Sequence, residues 1–92
     1  METSEAAGEA LAIRRRRLRF RAWHRGMREV DLLLGSFADA HAHDLDADEL
    51  AAFEALLETP DPLVLAWITG EAKAPPDVQT PLLARLIAFH TR

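Results

Sequence analysis

Apolar side chains recur along this chain at three- and four-residue spacing, and no stretch alternates apolar with polar over β-branched residues. The pattern predicts an all-α fold, a small single-domain bundle of about five short helices. The first is expected from about Glu9 to His24, with Leu11, Leu18 and Ala22 on its buried side and Ile13 and Phe20 as further candidates. A second, about Met27 to Ala42, carries Met27, Val30, Leu33, Leu34, Phe37 and Ala38 as one stripe that should pack on the first. The third has the best-marked start. Asp46 as N-cap and Glu49 three residues on make an acidic capping box, and Leu45 and Leu50 can staple across it, ahead of Phe53, Leu56 and Leu57. A fourth helix is expected to open at Asp61 as N-cap with Pro62 first inside, and to close at Gly70. Thr80 and Pro81 repeat that signal for the fifth, which runs through Leu82, Leu83, Leu86, Ile87 and Phe89. Residues 73–77 read as a loop. Residues 1–8 read as a disordered tail before the helical domain of residues 9–92.

Length changes little in this picture, since 92 residues support one modest core. The absence of cysteine excludes a disulfide framework, a thiolate metal site and a cysteine nucleophile, and fits a reducing cytoplasm. No run approaches the roughly 18 apolar residues of a membrane span, and the first nine residues carry three glutamates and no apolar stretch, unlike a secretory signal. A soluble, cytoplasmic protein is expected. Charge is more informative. The net value is −4, yet residues 1–28 sum to +5 and residues 29–92 to −9. A basic element beside an acidic body suits a steered protein encounter.

Several groupings invite a chemical reading. Arg14 to Arg17, continued by Arg19, Arg21, Arg25 and Arg28, point all around a helix, so some must turn toward the bundle and snorkel or pair. Nucleic acid binding would want a basic domain and interleaved aromatics, which this acidic chain lacks. Asp39, His41, His43, Asp44, Asp46, Asp48 and Glu49 are metal-ligand types, but a calcium loop from Asp44 would need glycine where Glu49 stands and a carboxylate where Ala55 stands. His41 and His43, two apart, point to different helix faces. Ser4 and Ser36 are the only serines, and neither sits in a glycine elbow. No catalytic residue is expected. Trp67 reads as core, while Trp23 suits either core or an exposed interface.

The most informative segment is His24-Arg25-Gly26-Met27-Arg28-Glu29-Val30-Asp31-Leu32. A helix-interior glycine costs about 1 kcal/mol relative to alanine, so Gly26 should mark a helix boundary or a close backbone approach. With a boundary there, Glu29 falls in the first turn of the second helix and Arg25 lies within its reach. That pair can be read as an ion pair closing the corner, or as a recognition surface in which Gly26 lets a partner's backbone in.

This segment fits the Arg-Gly-x-x-Glu motif, and the chain resembles the SdhE family of flavinylation assembly factors, the bacterial relatives of a mitochondrial succinate dehydrogenase assembly factor. Leu32 to Ala38, Leu45 to Glu49, Phe53, Leu56-Leu57-Glu58, Asp61-Pro62 and Trp67-Ile68-Thr69-Gly70 follow in family order and spacing. His24 and Leu63 depart from the residues common at their positions. The resemblance implies a five-helix, chaperone-like monomer that binds the flavoprotein subunit of succinate dehydrogenase, and that of fumarate reductase, and promotes covalent attachment of FAD. It implies a partner-binding surface of Arg25, Gly26, Met27, Arg28, Glu29 and Asp31, no cofactor of its own since the FAD is the client's, and no nucleic acid or membrane insertion. A regulatory or antitoxin-like module of the kind labelled CptB is the alternative.

Overall fold

The computed structural model describes residues 2–91, with side chains from Gly8 onward. Five α-helices follow in order: α1 Glu2–Trp23, α2 Arg28–His41, α3 Ala47–Leu57, α4 Asp61–Thr69 and α5 Pro81–His90. Single 3-10 turns, Ala42–Asp44 and Pro76–Val78, lie before α3 and before α5. No strand occurs among the described residues.

The helical backbone of α1 extends to Glu2, ahead of the start that apolar periodicity marks. Alanine and glutamate are strong helix formers and acidic residues suit a helix N-terminus, so this stretch is helical by propensity without an apolar stripe. The expectation of a disordered tail over residues 1–8 falls mostly on residues whose side chains lie outside the described set. Leu18 and Ala22 enter the core while Leu11 packs at its edge. Ile13 and Phe20, expected as possible core residues, are exposed instead. At about 100° per residue, positions 11, 18 and 22 share one face, whereas 13 and 20 fall nearly opposite.

The α2 stripe behaves as read: Val30, Leu34, Phe37 and Ala38 are buried, and Met27 and Leu33 flank them. Around Phe37, Phe53 lies 5.8 Å away in a tilted arrangement and Phe89 5.4 Å away edge-on. The α3 capping box is complete: Glu49 N–H donates to Asp46 Oδ1 at 2.8 Å, and Asp46 N–H to Glu49 Oε1 at 3.1 Å. Leu45 and Leu50 are both fully buried beneath it. Thr80 caps α5 by accepting from Leu83 N–H at 3.1 Å. Gly70 ends α4 in the left-handed region, φ 83°. Arg15 crosses from α1 to donate to the Ala42 and Leu45 carbonyls at 2.9 and 2.8 Å. It thereby satisfies chain ends that helix geometry leaves open between α2 and α3.

Candidate functional site

The segment that stood out in the sequence forms the corner between α1 and α2. Gly26 has φ 108°, and a Cβ built on it would meet nothing within 4 Å. Glycine is therefore required by the backbone conformation, and the space in front of it is open.

Arg25 does not pair with Glu29. Its side chain turns inward to the junction between α3 and α4, where Nε donates to Asp61 Oδ1 at 2.7 Å and the two terminal nitrogens donate to the carbonyls of Leu57 and Thr59. The second carboxylate oxygen of Asp61 accepts from Met27 N–H at 3.2 Å, and Asp31 Oδ1 accepts from Arg25 N–H at 2.7 Å. The side chains of Arg25 and Asp61 are only 11% and 14% exposed. Two acids thus hold the backbone on both sides of Gly26. The Arg25 fork also satisfies carbonyls that the end of α3 cannot bond internally.

This arrangement corrects the expected role of Asp61. Pro60 takes the N-cap position of α4, and Asp61 is the first helical residue. Its carboxylate is thereby free to reach across the bundle rather than cap its own helix. Local spacing favoured Glu29 for Arg25 and capping for Asp61, but a carboxylate 36 residues away beside two main-chain carbonyls supplies more hydrogen bonds to both groups.

The six motif residues divide into two sets. Arg25, Met27 and Asp31 are partly buried and build the corner, whereas Gly26, Arg28 and Glu29 face solvent. The Arg28 and Glu29 side chains make no hydrogen bond or ion pair among the described residues. Leu32, one turn along α2, is 51% exposed. The corner therefore offers a cation, an anion and an apolar side chain on a rigid frame, with no side chain at Gly26 to hold an approaching backbone away.

Behind the corner, the ring of Trp23 lies flat on Gly35 of α2. A Cβ at Gly35 would overlap the ring carbons. Trp23 Nε1 donates to Asp39 at 3.2 Å, so this tryptophan is a half-buried brace between α1 and α2. Sequence reasoning passed over Gly35 as a packing position, although the signal used for Gly26, a glycine inside a helix-forming stretch, was present there too. Asp61 carried no such signal.

Several members of the other groupings find partners within the chain. Arg14 makes a bidentate pair with Glu54 at 2.8 and 3.1 Å, and Arg21 pairs with Glu58. Hydrogen bonding to Arg14 holds the Glu54 carboxyl below the usual carboxylate range. In the His/Asp cluster, Arg85 of α5 donates to Glu49 at 2.9 Å and to Asp44 at 3.1 Å. The Asp44 carboxyl is held below its ordinary value first by Arg85 and then by His41. No helix among the described residues is long and apolar enough to cross a membrane.

Residues 16–90 match the Sdh5 family, described as flavinator of succinate dehydrogenase. The chain is 46% identical over 88 residues to the FAD assembly factor SdhE of Acetobacter pasteurianus, covering 92% of this chain and 81% of that protein. It is 38% identical over 78 residues to the mitochondrial succinate dehydrogenase assembly factor 2 of Dictyostelium discoideum, covering 85% of this chain and 55% of the relative. Against assembly factor 2-B of Drosophila melanogaster the identity is 33% over 86 residues, with 91% and 54% covered. The chain spans about half the length of these mitochondrial relatives. No solved structure matches it. With its family match running from α1 to the end of α5 and the Arg-Gly-x-x-Glu segment folded into one braced corner, the chain belongs to the Sdh5/SdhE family of succinate dehydrogenase flavinators.

Proposed function

We propose that this chain is an FAD assembly factor that binds the flavoprotein subunit of succinate dehydrogenase through the α1–α2 corner and promotes covalent attachment of that subunit's FAD. The observation that carries the reading is the division of the motif: Arg25 and Asp61 fix the corner from within, and Gly26, Arg28 and Glu29 are left facing out. A rigid surface with unspent hydrogen-bonding groups is suited to recognition, because little ordering remains to be done on binding.

The chain contributes no catalytic group in this reading. Holding two domains of a client so that the flavin lies against its acceptor side chain lowers the barrier through proximity and orientation, effects that can supply several kcal/mol. The flavin provides the reactivity. The factor binds no cofactor permanently, acts as a monomer in the cytoplasm, and takes the fumarate reductase flavoprotein as a second client.

The test is in-gel flavin fluorescence of the denatured succinate dehydrogenase flavoprotein, produced in a host lacking its own factor. This chain is expected to restore covalent fluorescence, and Glu29→Lys, which alters only an exposed side chain, to abolish or strongly reduce it. Gly26→Arg should fail as well, but it forces a side chain into a strained φ, so its fold must be verified by circular dichroism. Equal fluorescence with and without the chain would overturn the assembly role for this client. Full restoration by folded Glu29→Lys would remove the corner from it.

A further inference from the structure

The outward face of α1 carries two large apolar side chains that the core does not use. Phe20 is 64% exposed and Ile13 42% exposed. Seven residues apart, they lie on the same side of the helix, roughly 10 Å from each other along its axis. Arg16 and Arg17 stand between them, and Arg19 lies about a quarter-turn further around the helix. Arg14, Arg15 and Arg21 of the same helix are engaged with Glu54, two backbone carbonyls and Glu58. Arg16, Arg17 and Arg19 are exposed and make no hydrogen bond or ion pair among the described residues. The face continues directly into the corner: the His24 ring stacks on Phe20 at 4.0 Å and 17°, with Nδ1 2.6 Å from the Phe20 carbonyl, two residues before Gly26.

We infer that this face is a second contact surface for the flavoprotein client, with Phe20 as its apolar anchor and Arg16, Arg17 and Arg19 meeting carboxylates around the pocket that receives it. The inference rests on the function proposed above and names the chemistry of the partner surface: acidic, with an apolar recess. Three unpaired cations call for an acidic partner, and the direct continuity of the face with the corner through Phe20 and His24 favours the client over other acidic surfaces. A lipid surface would require a wide apolar face, but Leu18 and Ala22 of α1 are committed to the core, and Ile13 and Phe20 are the large apolar side chains it exposes among the described residues. A nucleic acid would be repelled by the acidic remainder of the chain, −9 over residues 29–92. A second copy seated on Phe20 would obstruct the corner beside it. An exposed aromatic flanked by arginines has the composition of an interface hot spot, and the unpaired cations would speed encounter at low salt.

The experiment measures binding of the purified, unflavinylated succinate dehydrogenase flavoprotein to the full chain and to three variants, with folding checked by thermal melting. Phe20→Ala is expected to keep the wild-type melting temperature and lose at least about 30-fold in affinity. The Arg16→Gln, Arg17→Gln, Arg19→Gln triple variant should associate about 10-fold more slowly at low salt and show a flatter salt dependence. Wild-type affinity in Phe20→Ala, with binding lost in Glu29→Lys, would overturn this inference and leave the corner's role intact. Absence of binding by the wild-type chain would overturn the function proposed above, and this inference with it. Sedimentation of the chain alone supplies the remaining arms. A dimer abolished by Phe20→Ala would assign the face to a second copy, and co-sedimentation with phosphatidylserine vesicles abolished by Phe20→Ala would assign it to lipid; either overturns the inference.

Discussion

Two arginines tie this bundle together across long sequence distances, and they do so differently. Arg25 spends its guanidinium on one carboxylate and two main-chain carbonyls, and that carboxylate also accepts from the main chain at Met27. Arg85 spends its guanidinium on side chains: Glu49, Asp44 and the edge of His41. The first site is almost closed to water, whereas the Arg85 side chain is 35% exposed. One arginine therefore fixes the course of the backbone, and the other fastens neighbouring surfaces whose course is set elsewhere. Ion pairing counts toward shape when it reaches main-chain atoms that water cannot serve.

The largest expected effect separates the two directly. Arg25→Ala strands the Asp61 carboxylate and two carbonyls in a nearly dry site and should cost about 3 kcal/mol in urea denaturation. Arg85→Ala should cost about 1 kcal/mol or less, because its partners turn to solvent. Equal losses would break the distinction.

Gly35→Ala sharpens it from the packing side. The gain in helix propensity, about 1 kcal/mol, is set against displacing the Trp23 ring, and a net loss of about 1–3 kcal/mol is expected, with a changed tryptophan emission spectrum. Gly26→Ala meets no atom but keeps an unfavourable φ, so about 1–2 kcal/mol should be lost with tryptophan emission unchanged.

The smallest effect is in pH. Asp44 and Glu54 are held below the ordinary carboxylate range by Arg85 and Arg14. A depressed folded value means that their contribution is complete above the unfolded carboxylate value of about 4. It is lost as pH falls through the lower folded value. Melting temperatures of wild type and of an Arg14→Gln, Arg85→Gln double variant should accordingly differ at about pH 6 and converge as pH falls below about 4. Parallel curves would show that these exposed pairs contribute nothing measurable.

Much of the fold was legible because its signals are local. The Asp46–Glu49 box, the Thr80 cap and the α2 stripe depend on residues within a turn or two of each other, and each formed as read. The candidate site was legible in composition, since Arg-Gly-x-x-Glu announces itself, but its wiring was not. Whether Asp61 caps its own helix or serves Arg25 is decided by a partner 36 residues away, and nothing within a helical turn encodes that choice. Ile13 and Phe20 were misplaced for a simpler reason. Hydrophobicity was credited to the core although the helical angle from Leu18 already put both outside.

Asp61 grips both the Arg25 guanidinium and the Met27 amide, so the corner takes its shape only after α4 has docked. The motif is contiguous in sequence, yet its conformation is borrowed from the other half of the chain. A peptide cut from α1 and α2 would retain every letter of Arg-Gly-Met-Arg-Glu and surrender its geometry, which makes such a fragment a poor mimic or inhibitor. Under the function proposed above, the same dependence would act as quality control, because a chain that has not finished folding has no corner to offer.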